Sequence, residues 1–111
     1  MIKVKWELDE AVIFCDVYIK SGRKMNLEKS ILEKVSILLN KRAKEKGLTV
    51  DDKFRNVDGL SLQIRCIHYI VTNATEGLSN VGKIFYEAYE LLAKNPQKFY
   101  FIVEDFYKKY C

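Results

Sequence analysis

Basic and amide side chains meet at the start of the third predicted helix, a combination suited to binding an anion rather than to catalysis. Residues 53–63 read KFRNVDGLSLQ and lead directly into a helical pattern. Lys53 and Arg55 carry positive charge, while Asn56 and Gln63 carry amides that can hydrogen bond to phosphates or base edges. Backbone N–H groups at a helix start also favour an anion. The segment therefore predicts a nucleic-acid contact.

Projection of the third predicted helix at 100° per residue leaves a narrow exposed strip between two apolar sectors. The strip contains Ser61, Arg65, His68 and Thr72. Arg65 and His68 are therefore expected to extend the contact; the alternative for His68 is a half-exposed ring bonded to a neighbouring carbonyl. Because apolar residues occupy both sides of it, this helix is predicted to be the central one. Arg42 projects near the end of the second predicted helix, where its stem would pack, its head would reach solvent, and Arg55 would lie close.

Positive charge is concentrated in one part of the chain. The formal net charge is +4, yet residues 20–55 contain eleven basic and five acidic side chains, residues 1–19 contain two and four, and residues 56–111 contain six of each. The whole excess thus lies in the block that ends at Arg55. Such a block predicts a polyanionic partner, with Lys53 and Arg42 contacting phosphate. The alternative is a solvated, lysine-rich helix face.

Other reactive side chains do not form a recognisable catalytic pattern. The acidic residues of the first helix (Glu7, Asp9, Glu10 and Asp16) project onto its outer side and are expected to be solvated. The chain contains neither a phosphate-binding glycine loop nor an H-E-x-x-H sequence. Cys15, Cys66 and Cys111 are far apart and form no C-x-x-C pair. We therefore expect no enzyme activity, no metal and no cofactor.

Five helices are predicted from apolar periodicity, and no strand-like alternation occurs. They cover residues 7–20, residues up to 46 after an N-cap at Asn26, residues 58–72, a helix capped by Ser79 or Asn80, and a helix beginning at Asn95-Pro96. The prediction is a single domain, residues 1–111, of the all-α class. It is a compact five-helix bundle with an N-terminal tri-helical, helix-turn-helix-like core, closed by the fourth and fifth helices. The absence of a ~20-residue apolar run and of a signal peptide predicts a cytoplasmic protein without membrane contact.

Three sequence segments carry a family resemblance. WELDEA at residues 6–11, followed by two amphipathic helices and a basic turn, resembles the Myb/SANT-type tri-helical arrangement. FRN-x-x-GL-x-x-Q at residues 54–63 is similar to a small module found in prokaryotic restriction and phage-defence proteins, often ahead of a nuclease domain. LSN-x-x-KIF at residues 78–85 continues that resemblance. It implies a non-catalytic DNA-binding or targeting module, with DNA as partner and a nuclease domain or a defence-system protein as a further partner.

Aromatic residues of the fifth predicted helix suggest another function. Phe101 projects outward between Tyr100 and Tyr107, as a side chain that contacts another protein would. The alternative is therefore a protein–protein interaction domain, such as an adaptor, an assembly subunit or a small phage-encoded inhibitor. The sequence does not distinguish duplex from single-stranded DNA, a freestanding protein from part of a longer one, or one oligomeric state from another.

Overall fold

Five α-helices make up the bundle. The computed structural model describes residues 5–72 and 82–110. The helices are α1 (Leu8–Lys20), α2 (Lys29–Glu45), α3 (Val57–Val71), α4 (Lys83–Lys94) and α5 (Pro96–Tyr110), and the described residues contain no strand. The prediction of an all-α, five-helix bundle is therefore confirmed. None of the described helices is both long and apolar enough to cross a membrane.

Local sequence signals account for most of the helix ends. The Glu10 side chain accepts a hydrogen bond from the backbone N–H of Glu7 (3.1 Å) at the start of α1. Gly47, with φ of 71°, follows the end of α2 in the left-handed conformation that glycine adopts easily. Asn95 Oδ1 accepts from the N–H of Lys98 (3.2 Å), and Pro96 opens α5 as predicted.

The sequence predicted that α2 is capped by Asn26 and α4 by Ser79 or Asn80. Asn26 does not cap α2; its N-cap position is Glu28, where the backbone is extended (φ −59°, ψ 143°). Leu27 packs against the core just before this point, so the helix begins only after that contact has been made. Ser79 and Asn80, proposed as caps of α4, lie outside the described residues, and the N-cap position of the described helix is Gly82.

The central helix is α1, not α3 as the projection predicted. Ala11, Val12, Ile13 and Phe14 have no exposed surface, because α4 and α5 pack against one side of α1 and α3 contacts it as well. By contrast, Leu62 of α3 is 52% exposed. The α2 helix packs mainly on α3, so the predicted tri-helical core is not the centre of packing. An uninterrupted apolar run in a helix is typical of burial on every side, and residues 11–15 form such a run.

Aromatic and polar contacts fix the neighbours of α1. Trp6 stacks on Phe14 with ring centroids 5.7 Å apart and touches Phe85 of α4 at 5.0 Å. At the other end of α1, the hydroxyl of Tyr18 is hydrogen-bonded to Nδ1 of His68 at 2.6 Å. These contacts set α4 against the start of α1 and α3 against its end.

The central position of α1 can be tested with two identical substitutions. Phe14→Ala should lower the free energy of unfolding by about 3–5 kcal/mol, because it leaves a cavity in a fully buried site. Phe101→Ala removes the same ring from a side chain that is 69% exposed, and should change stability by no more than about 0.5 kcal/mol. Urea denaturation followed by circular dichroism measures both. Equal losses would contradict the assignment of α1 as the core helix.

Candidate functional site

Arg42 lies inside a cluster of carboxylates at the start of α1. Its side chain is only 1% exposed. Nε and Nη2 each donate to a carboxylate oxygen of Asp9 at 2.8 Å, and Nη2 is also 3.0 Å from Glu7 Oε1. Nη1 lies 3.6 Å from Glu10 Oε1, beyond direct hydrogen-bond distance. Burial alone would lower the pKa of this guanidinium, but the hydrogen bonds that it donates to Asp9 and Glu7 raise the pKa above its ordinary value.

Arg55 meets the same cluster from the loop before α3. Its Nε and Nη2 donate to the two carboxylate oxygens of Glu10 at 3.0 and 3.2 Å. Its guanidinium carbon lies 4.2 Å from the centroid of the Trp6 ring and 4.4 Å from that of Phe54. The side chain is therefore paired, stacked on aromatic rings and only 8% exposed.

Two of the four α1 carboxylates that the sequence predicted to be solvated are in fact buried. Glu10 is fully buried and Asp16 is 1% exposed, with Lys20 Nζ 2.9 Å from Asp16 Oδ2. Arg42, expected to reach solvent, is buried as well. The projection was wrong here because it considered α1 alone, whereas the ends of α2 and the following loop cover its start. Carboxylates and guanidinium groups compensate one another, so the two arginines present little positive charge to solvent.

A small cleft unites four of the predicted DNA contacts. Lys53, Arg55, Asn56 and Gln63 line a cavity of about 110 Å³ beside Trp6. Lys53 is exposed. Asn56 is the N-cap of α3, where its Oδ1 accepts a hydrogen bond from the N–H of Gly59 at 2.9 Å. The amide oxygen of Asn56 is therefore already used to stabilise the start of α3.

Arg65 and His68 lie farther along α3 and do not line the cleft. His68 was predicted to be exposed, but it is 8% exposed and bonded to Tyr18, because α1 covers this side of α3. Arg65 is half-buried. Its Nε, like Oε1 of Gln63, is buried without a hydrogen-bond partner among the described residues.

The cysteines show no sign of catalytic activation. Burial raises the pKa of the Cys15 thiol to about 12, and burial also raises that of Cys66. Cys111 lies outside the described residues. In the described part of the chain, no three histidine, cysteine or carboxylate side chains are grouped so that they could hold a metal ion.

An apolar groove with a volume of about 480 Å³ lies between α1, α2 and α5. Its lining consists of aliphatic residues, two tyrosines and two lysines: Val17, Ile31, Val35, Ile37, Leu38, Tyr107, Tyr110, Lys34 and Lys41. Ile37 stands on its edge and is 70% exposed. We call this surface the α2–α5 groove. An aliphatic side chain so exposed beside further apolar residues is typical of a contact surface.

Two of the three aromatic residues proposed as a protein contact lie in different concavities. Tyr107 lines the α2–α5 groove. Phe101 is 69% exposed and lines a separate concavity of about 330 Å³, which also includes Glu7, Asp9 and Asp105. Tyr100 is 42% exposed. Phe101 and Tyr107 therefore do not form one patch.

Sequence reasoning missed most of the groove. The sequence predicts α2 only as a helix of the bundle, to which Ile31, Leu38 and Lys41 belong. Their repeat at intervals of three and seven residues follows one stripe of α2. This stripe is the feature of the sequence that could have indicated the groove, but it does not show that α5 lies beside α2.

Comparisons with known proteins give no relative: no family model matches the chain, and neither a curated protein nor a solved structure proved similar to it.

Removing Arg42 tests whether the buried cluster is structural. Arg42→Ala should lower the free energy of unfolding by about 2–5 kcal/mol, because it leaves a cavity at a fully buried site and removes the hydrogen bonds to Asp9 and Glu7. Lys46→Ala is the matched control, since Lys46 is partly exposed and lies 3.9 Å from Glu7 of the same cluster; the expected loss is about 0–1 kcal/mol. Chemical denaturation compares the two. An Arg42→Ala protein as stable as the wild type would contradict the structural role.

Thiol reactivity tests the burial of the cysteines. With its pKa raised to about 12, Cys15 carries almost no thiolate at pH 8, and Cys66 is likewise shifted against ionisation. Both should react with iodoacetamide at least ~100-fold more slowly in the native protein than in urea, as followed by peptide mass spectrometry. Rapid native labelling of Cys15 would show that α1 is not enclosed.

Proposed function

We propose that this protein is a non-catalytic interaction module that binds a protein partner in the α2–α5 groove. The observation that carries the proposal is Ile37, which is 70% exposed at the edge of a groove of about 480 Å³ lined mainly by aliphatic and aromatic side chains. Docking a partner removes this apolar surface from water, which stabilises the complex by about 25 cal/mol per Å² of apolar surface buried.

The setting we propose is an adaptor or targeting role in a restriction or anti-phage system. The support is the resemblance of residues 54–63 and 78–85 to the module of such proteins. Within the described part of that resemblance, Arg55 stacks on Trp6 and Phe54 and pairs with Glu10, and Asn56 accepts a hydrogen bond from the N–H of Gly59. These residues thus maintain the fold, which leaves partner recognition to another surface.

A displayed library of helical peptides, each with an apolar stripe, tests the proposal. Selection on the wild-type domain should enrich binders, and Ile37→Asp should weaken them at least ~10-fold, because a buried unpaired carboxylate opposes docking. Phe101→Asp introduces the same charge at an equally exposed apolar site outside the groove and should leave affinity unchanged. Fluorescence anisotropy provides the affinities. No enrichment, or equal effects of both substitutions, would contradict groove binding.

DNA binding is the second candidate function. The observation in its favour is the exposure of the lysines in the basic block, which are Lys20, Lys24, Lys29, Lys34, Lys41, Lys44, Lys46 and Lys53. Arg42 and Arg55 are paired with carboxylates, so we assign them a smaller part in DNA binding than the sequence predicted. Lys53, which lies beside Gln63 in the small cleft, is the residue that we propose first as a DNA contact.

Titration of a labelled duplex tests this second candidate. Affinity should fall tenfold or more between 50 and 200 mM salt if several phosphates are bound. Lys53→Ala should weaken binding to all duplexes alike and reduce the salt slope by about one. Lys94→Ala is the control, because Lys94 forms a pair with Glu90 on α4. Affinity independent of salt, or no binding to single-stranded or duplex DNA, would exclude this function.

A further inference from the structure

We infer that the occupant of the α2–α5 groove is an amphipathic helix of a partner protein whose apolar stripe is flanked by acidic residues. The inference rests on the proposed function and specifies its partner. Lys34 and Lys41 both line the groove, and its lining contains no acidic residue. Within the described residues no carboxylate is paired with either lysine; the nearby Glu33 lies 3.9 Å from Lys29 instead. The groove therefore combines an apolar floor with uncompensated positive charge.

The spacing of the two lysines fits a helical partner. They are seven residues apart on α2, which is about 10 Å along the helix axis at 1.5 Å per residue. Ile31 and Leu38 repeat at the same interval along the same stripe. A second helix lying beside α2 would present acidic residues at matching intervals of seven, and its apolar residues would face Ile37 and Leu38.

Two other occupants fit less well. A second copy docked groove to groove would bring Lys34 and Lys41 of both copies together, and like charges oppose such a contact. A small amphiphile with a carboxylate would satisfy the lysines, but sites for small molecules bury most of the ligand, whereas this groove is open at Ile37. An acidic amphipathic helix satisfies both the charge and the open shape.

The experiment uses the full chain and a library of 16-residue helical peptides with a fixed apolar stripe and flanks randomised among Glu, Lys, Gln and Ser. The wild type should select Glu-flanked peptides. Lys34→Glu/Lys41→Glu should select Lys-flanked ones and bind the original peptides at least ~10-fold more weakly, with a smaller difference at high salt. Lys83→Glu/Lys98→Glu changes the charge equally outside the groove and should select as the wild type does. Circular dichroism verifies that each variant is folded.

The outcomes separate the inference from the function on which it rests. Selected peptides that depend on Ile37 but show no preference for Glu, or keep it after charge reversal at Lys34 and Lys41, would overturn the inference alone. Failure to select any peptide would overturn the groove function as well. Displacement of the peptides by oleate at equal affinity, or a groove-dependent dimer in sedimentation, would replace the helix with an amphiphile or a second copy.

Discussion

The buried contact between the start of α1 and two arginines is the constraint on which the rest of the structure depends. Glu10 is fully buried, and a carboxylate in that position requires opposite charge and hydrogen bonds. Arg55 supplies both directly, whereas Arg42 adds positive charge 3.6 Å from Glu10 and donates its hydrogen bonds to the neighbouring Asp9 and Glu7. One cluster thereby ties α1 to the end of α2 and to the loop before α3. The position of α2, and with it the α2–α5 groove, follows from this connection.

This cluster also changes how the basic segment at residues 53–63 is interpreted. Arg55 adopts a left-handed backbone conformation, with φ of 48°, which costs roughly 1–2 kcal/mol for a residue other than glycine. Its pairing with Glu10 and stacking on Trp6 and Phe54 offset this cost. The next residue, Asn56, caps α3. A sequence that resembles a DNA-contacting turn is thus, in large part, the connection that closes the bundle.

Two faces of α2 therefore differ in their surroundings, since one is packed inside the bundle and the other is exposed. Arg42 and the aliphatic residues near it turn towards α1 and α3, whereas Lys34, Ile37 and Lys41 face solvent beside α5. An exposed isoleucine between two lysines brings no stability to the isolated domain, because its apolar surface stays in water. The same arrangement suits a partner that covers the isoleucine and pairs with the lysines.

By itself, the sequence determined the number of helices, their approximate bounds and the absence of a familiar catalytic pattern, because helix periodicity and the signals at Asn95-Pro96 and Gly47 act over a few residues. Only the tertiary structure decided that α1 is central, that Glu10 and Arg42 are buried together, and that His68 is bonded to Tyr18. A helical projection shows which residues share a face, but not which neighbouring helix covers it. The partners of Arg42 are 32 to 35 positions away in the chain, so only the packing of whole helices could bring these charges together.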